Sequence, residues 1–267
     1  MNNPQSTSHP ASSQVPSREE LNAELLPVPE SPDSPEPVEP PGFDDVIAAA
    51  VRYVKGKRGG DLVAVLLVGS AARRMITPHS DLDLIVVVKA DDVREELIRV
   101  NDRTIDIRYS GHQIVEEDLR ASLRLPPLLR KARVLFEHDG VGTRLVETAN
   151  DRFRQGPPRP SMYEQIRLKN ECLHYLGKAE DLQRKSATSH YLLSLFFDHY
   201  LTTYYRLRGL WPSAPADMLR FLNSRDPAVG GLLDRFQQAG TLSERLDIGR
   251  QLTDVLLKDV PLPARID

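Results

Sequence analysis

The residues best suited to chemistry lie in one stretch, Gly69-Ser70-Ala-Ala-Arg73-Arg74-Met-Ile-Thr-Pro-His79-Ser80-Asp81-Leu-Asp83. Asp81 and Asp83 stand two apart where a strand is expected, and a strand sends every second side chain to the same face. Two carboxylates on one face suit a hard divalent cation, which takes oxygen ligands. Asp106 alternates with Ile105 and Ile107 in a later segment and offers a third carboxylate. Gly69 allows close approach of a ligand, and the free backbone N–H groups of a short helix begun at Gly69 and Ser70 suit phosphate oxygens. Three acids converging across neighbouring strands suit two-metal phosphoryl or nucleotidyl transfer. There Mg2+ neutralises triphosphate oxygens, polarises the attacked phosphorus and lowers the pKa of a bound hydroxyl. Without a cation the same clustering raises the acids' affinity for protons.

Taken singly, each piece has an ordinary explanation. A lone Asp-x-Asp on a strand is a common surface pair, and a lone Gly-Ser is a turn. The ordered combination of Gly-Ser, Asp-x-Asp and a later strand aspartate is much harder to explain that way. Arg73 and Arg74 follow the corner closely enough for one to meet a phosphate, while the other faces solvent or pairs with an acid. His79 and Ser80 shape the loop ahead of the acids, and a single histidine makes no zinc site.

These side chains need a scaffold. Residues 62–68, an almost continuous apolar run, read as a central strand, and residues 82–88 repeat the pattern. Alternation predicts a third strand over 103–109, with a helix over 90–99 or a neighbouring turn joining the last two. Ahead of them, Phe43, Ile47, Val51 and Val54 recur at helical spacing up to Gly56, and Gly59-Gly60 supplies the turn. After Gly140 the strand signal fades, and Gln155-Gly-Pro-Pro-Arg-Pro160 interrupts a helix over 143–153. Downstream, periodicity predicts helices over 161–176, 187–208, 214–223, 228–239 and 241–257, which together suggest a bundle. The fold class is therefore α/β (α+β): a mixed-sheet catalytic domain over 43–154 and an all-helical domain over 160–260. Asp198, His190, Tyr204 and Tyr205 either line a cleft that binds an acceptor or pack the bundle. Trp211-Pro212 reads as a corner between helices.

The Gly69-Ser70 corner, Asp81-Leu-Asp83 and Asp106, in that order on these strands, resemble the nucleotidyltransferase superfamily related to DNA polymerase beta. The nearest branch is the small antibiotic-modifying one, the aminoglycoside and lincosamide nucleotidyltransferases. The resemblance covers residues 62–109 and extends more loosely through the helical half. It implies a mixed sheet flanked by helices, a nucleoside triphosphate and Mg2+. It also implies nucleotide contacts at Gly69 and Ser70 and metal ligands at Asp81, Asp83 and Asp106. Some relatives use a glutamate early in the second domain as general base. The matching region here holds Glu164 and Glu171 with Lys169 between them, and spacing does not choose between the two. Glu164 falls in the first turn of its helix, where the dipole favours a carboxylate whether it caps or catalyses. Lys169 is placed to touch a triphosphate or to face solvent.

Composition narrows the rest. Against a whole-chain charge of -3 over 267 residues, positions 1–42 hold ten of the 21 prolines, seven acids and one base, Arg18. The remainder carries 34 bases against 31 acids, a body charge of +3, which suits a nucleotide better than an extended nucleic-acid track. The 1–42 arm lacks Phe, Tyr, Trp and Ile and reads as mobile, with a weak helix signal where Ser17 and Glu20 match a capping box. Cys172, the only cysteine, reads as a buried thiol. No stretch is apolar enough to span a bilayer, so a cytoplasmic location is expected. The favoured activity is transfer of AMP from ATP, or of another nucleoside monophosphate, to a hydroxyl of a small molecule. Nothing in the motif reads adenine. The alternatives are nucleotidylation of a protein or tRNA acceptor and a non-catalytic, antitoxin-like binding protein.

Overall fold

A computed structural model describes residues 42–77, 79–90 and 93–265. Apart from Gly42, the proline-rich arm and its candidate cap at Ser17 and Glu20 lie outside the described residues. Contacts divide the described chain into two units, one of residues 42–164 with 202–214 and one of residues 165–201 with 215–265.

The first unit opens with α1 (Phe43–Arg58). Asp44 and Asp45 in its first turn and Lys55, Lys57 and Arg58 in its last complement the helix dipole. Phe43, Val46, Ile47, Ala50 and Val54 form its buried side; of the residues that the periodicity picks out, Phe43, Ile47 and Val54 are buried and Val51 is partly buried. The sheet comprises β1 (Leu62–Val68), β2 (Leu82–Val88), β3 (Arg94–Val100), β4 (Arg103–Gly111) and β5 (Arg133–Glu137). Its order is β3-β4-β2-β1-β5. β1 runs antiparallel to β2 and β5, β2 runs parallel to β4, and β3 is antiparallel to β4. The sheet is thus mixed, and a helical region follows it.

Each face of the sheet has its own apolar layer. Leu82, Leu84, Val86, Ile105, Ile107 and Tyr109 pack with α1. Ala64, Leu66, Val68, Ile85 and Val87 pack with α3 (His112–Ala121), α4 (Leu125–Leu129) and α5 (Val141–Arg154) through Val115, Leu119, Leu129 and Leu145. The central strands are therefore buried on both faces, which explains why β1 and β2 read as unbroken apolar runs.

One predicted element is corrected. The helix expected over 90–99 is instead strand β3. Its composition, Arg-Glu-Glu-Leu-Ile-Arg-Val, is compatible with a helix, but pairing decides: β3 hydrogen-bonds along β4 from Arg94↔Tyr109 to Val100↔Arg103. A two-residue turn closes this hairpin, with Asn101 at φ 54, a conformation that asparagine tolerates better than most residues. Glu96 locks β3 to α1, accepting hydrogen bonds from Tyr53 Oη at 2.5 Å and Lys57 Nζ at 2.6 Å, and from Tyr109 Oη at 2.9 Å.

The downstream helices are α6 (Met162–Asp181), α7 (Ser186–Arg208), α8 (Pro215–Arg225), α9 (Pro227–Gln238) and α10 (Leu242–Leu257). α7 contributes to both units. Its last residues and the corner after it belong with the sheet: Trp211 stacks on Phe153 at 5.8 Å and donates from Nε1 to the Phe153 carbonyl at 2.9 Å. Tyr204 and Tyr205 are buried, so they serve packing. The second unit packs Cys172, Leu176, Phe196, Leu233, Phe236 and Leu252 in its interior. Cys172 is a buried free thiol, as read from its neighbours. Gly249 lets α10 approach α6, since a Cβ there would stand 2.8 Å from Leu176 Cδ1. No described helix is long and apolar enough to cross a membrane.

Candidate active site

The parallel register of β2 and β4 sets Asp83 directly opposite Asp106. Both side chains therefore leave the same face of the sheet, the one that further along is covered by α3 to α5. Asp81 stands just before β2, two residues ahead of Asp83. Leu82 and Leu84, between and beside the acids, are buried against α1. Alternation along one strand thus puts the apolar anchors on one side and the acids on the other.

The acids act on one another. Asp83 is pushed up from the ordinary aspartate value to about 6, first by partial burial and then by the negative charges of Asp81 and Asp106. Arg108, two residues beyond Asp106 on the same face, pairs instead with Asp118 of α3 at 3.1 Å. No ion pair to Asp81, Asp83 or Asp106 is found among the described residues. Nor do the described residues gather three or more His, Cys, Asp or Glu into a ready metal-holding group. The donor chemistry nevertheless fits a hard cation, because oxygen ligands whose charges repel one another gain from one held among them.

Gly69 belongs to this site by contact as well as by sequence. It begins α2 (Gly69–Ala72), a single turn directly after β1, with φ at 71. A Cβ built there would lie 2.3 Å from Asp83 Oδ2. Both the backbone angle and the space therefore require glycine. Ser70 follows on the same turn and its carbonyl accepts from the backbone N–H groups of Arg73 at 3.1 Å and Met75 at 3.0 Å. Arg73 reaches back to the Gly69 carbonyl through Nε at 3.4 Å. Arg74 sits at φ 59, where the chain turns out of α2.

The remaining sequence-chosen residues are placed elsewhere. Glu164 forms a reciprocal cap with Ser161: the Ser161 backbone N–H donates to Glu164 Oε2 at 2.8 Å, and the Glu164 N–H donates to Ser161 Oγ at 3.2 Å. Its other oxygen accepts from Arg206 at 3.2 Å. The Ser161 backbone and hydroxyl bonds, then Arg206, hold its carboxyl below the ordinary glutamate range. Lys169 donates to the carbonyls of Leu257, the last residue of α10, at 2.9 Å and of Val260 just beyond the helix. Glu171 meets Arg167 at 3.2 Å and His199 at 3.3 Å. Lys169 and Glu171 belong to the helical unit, Glu164 to the sheet unit.

No family model matches the sequence, and no curated protein matches it. Among solved structures, the chain is similar to a nucleotidyltransferase-like protein from Exiguobacterium sibiricum, with a TM-score of 0.47 and 14% identity over 79% of this chain and 74% of that one.

Arg103 is the site residue that sequence reading passed over. From the start of β4 it donates through Nη1 to the Ser80 carbonyl at 3.1 Å and the Thr77 carbonyl at 3.4 Å. Ser80 closes the same loop, its Oγ accepting from the Thr77 N–H at 2.9 Å. Arg103 thereby fixes the backbone immediately before Asp81. The available signal was a basic residue opening the strand that carries the third acid.

Proposed function

We propose that this chain transfers a nucleoside monophosphate, with AMP from ATP as the default, to a hydroxyl of a small molecule. The observation that carries the reading is the Asp83–Asp106 pair across parallel strands, with Asp81 beside it and the Gly69 backbone against Asp83. Asp81 and Asp106 are exposed and Asp83 is half-buried, and Asp83 registers the cost of burial and of the two neighbouring charges in its raised proton affinity. Asp81, Asp83 and Asp106 would hold Mg2+, which when bound would neutralise triphosphate oxygens and acidify the acceptor hydroxyl. Gly69 leaves open the space beside Asp83 that any side chain would fill. Ser70 and the α2 turn offer polar groups next to it, and Arg73 and Arg74 supply positive charge toward the departing pyrophosphate. Arg103 keeps Asp81 in register by holding its loop.

Glu164 and Glu171 are the candidates for the base that takes the acceptor's proton. The cap holds the Glu164 carboxyl below the ordinary glutamate range, which makes it a poor proton acceptor. If neither Glu164→Gln nor Glu171→Gln slows transfer by about tenfold, the base lies elsewhere. Lys169 is proposed as a triphosphate contact only on its position in sequence, and Lys169→Met tests it by the KM for the nucleotide.

The primary experiment incubates the full chain with alpha-labelled ATP, Mg2+ and a cell extract, then fractionates the label. Label on a small molecule with pyrophosphate released supports the proposal. Label on protein or RNA moves the acceptor to another class, and no release of pyrophosphate with any nucleoside triphosphate overturns the transfer reaction itself.

A further inference from the structure

β3 is the outermost strand of the sheet. One of its edges pairs with β4, and among the described residues no strand pairs with the other, which leaves a row of backbone donors and acceptors open to another strand. The side chains divide by parity. Glu96, Ile98 and Val100 are half-buried toward α1, whereas Val93, Glu95, Leu97 and Arg99 are exposed, Leu97 to 70%. The exposed set reads Glu95-x-Leu97-x-Arg99, a sequence whose charges are complementary to its own reverse.

We propose that β3 is the contact through which two copies of this chain join, antiparallel, with Leu97 opposite Leu97. In that register Glu95 of each copy faces Arg99 of the other, so two opposite-charge cross-strand pairs flank an apolar one. Sliding the strands by two residues in one direction sets Glu96 against Glu96. Sliding them the other way sets Leu97 against Arg99 and leaves Glu95 without a cation from the other copy, with only Arg108 of its own β4 opposite it. The charges that would discourage promiscuous pairing of an open edge thus admit one arrangement. Arg99 also meets Asp102 of its own hairpin at 3.1 Å, but both groups are largely in solvent and such a pair competes weakly.

The arrangement has a consequence for the acids. Leu97 is the register partner of Asp106, and a two-fold axis normal to the sheet keeps the same face outward in both copies. The two acid-bearing faces then lie on one side of a continuous ten-stranded sheet. The Asp106 positions are separated by three strand spacings, about 14 Å.

The test is the mass of the full chain in solution, by sedimentation at micromolar concentrations, for the wild type and for charge swaps. The wild type is expected to show a monomer–dimer equilibrium. Glu95→Arg alone and Arg99→Glu alone place like charges opposite each other twice and should each weaken dimerisation by about tenfold or more. The double swap Glu95→Arg/Arg99→Glu should restore it, and mixing the two single variants should yield a heterodimer. Because these residues are exposed, unchanged circular dichroism is expected throughout, and the restored pairings separate a broken contact from a broken fold. A wild type that stays monomeric, a dimer indifferent to the single swaps, or swaps that are not rescued by the double variant and by mixing would each overturn the proposal.

Discussion

Asp83 holds its proton to a higher pH than an exposed aspartate because burial and two neighbouring carboxylates penalise its charge. The folded state therefore binds that proton more tightly than the unfolded chain, and the associated stability is complete below about pH 4 and lost as pH rises through about 6. A shift of this size in a fully buried group would amount to about 3 kcal/mol, but Asp83 is partly exposed, and screening reduces the effect to the order of 1 kcal/mol. Asp83→Asn should accordingly raise the Tm of the metal-free protein near neutral pH, with the gain vanishing in acid, while abolishing nucleotide transfer. Thermal unfolding at the two pH values checks the first half, and pyrophosphate release checks the second. A variant that is destabilised near neutrality would mean the carboxylate is not under the strain described. Gly69→Ala carries a separate expectation: a left-handed angle and a Cβ against Asp83 Oδ2 together should cost about 1–3 kcal/mol and displace the carboxylate. Lower Tm together with lost transfer is the expected outcome, measured by calorimetry and by turnover.

At the scale of elements, the loop from α2 to β2 matters as much as the strands it joins, since it delivers Asp81. Arg103→Met should leave global stability within about 1 kcal/mol, because the side chain is only half-buried and its carbonyl partners lie in a loop, yet lower kcat about tenfold or more by loosening that loop. Arg103→Lys should recover part of the loss, and steady-state kinetics distinguish this from a change confined to KM. The strands that carry the acids were legible because a strand buried on both faces is written as an unbroken apolar run, and α1 and the later helices because one face of each repeats at helical spacing. β3 was not legible: it lies at the edge, faces α1 with one half of its residues and solvent with the other, and its charged composition suits a helix equally well. β5, with Arg133 and Glu137 at its ends, gave no signal for a similar reason. At the site, Asp81, Asp83, Asp106 and Gly69 were readable from spacing, and their mutual placement follows from register. The partners of Lys169 and Arg206 were not readable, because Leu257 and Glu164 lie 88 and 42 residues away in sequence and only packing brings them close.

For the molecule as a whole, the division of the chain into units does not follow the division of the sequence. The segment 202–214 comes after 37 residues of the helical unit, yet it packs with the sheet. Trp211, 6% exposed, covers Phe153 while its indole N–H satisfies the Phe153 carbonyl, and Arg152 lies over its ring at 5.2 Å. Trp211→Ala should cost about 3–5 kcal/mol of unfolding free energy, to be read from urea denaturation followed by circular dichroism. A fragment cut at residue 160 loses the same cover and should be markedly less stable than the full chain. Trp211 is also the chain's single tryptophan. Its fluorescence is consequently an intrinsic optical signal from the sheet unit alone, although it is encoded among the helices. Excited at the red edge of its absorption band, where the eight tyrosines absorb little, that one indole lets loss of sheet packing be timed separately from the loss of helix.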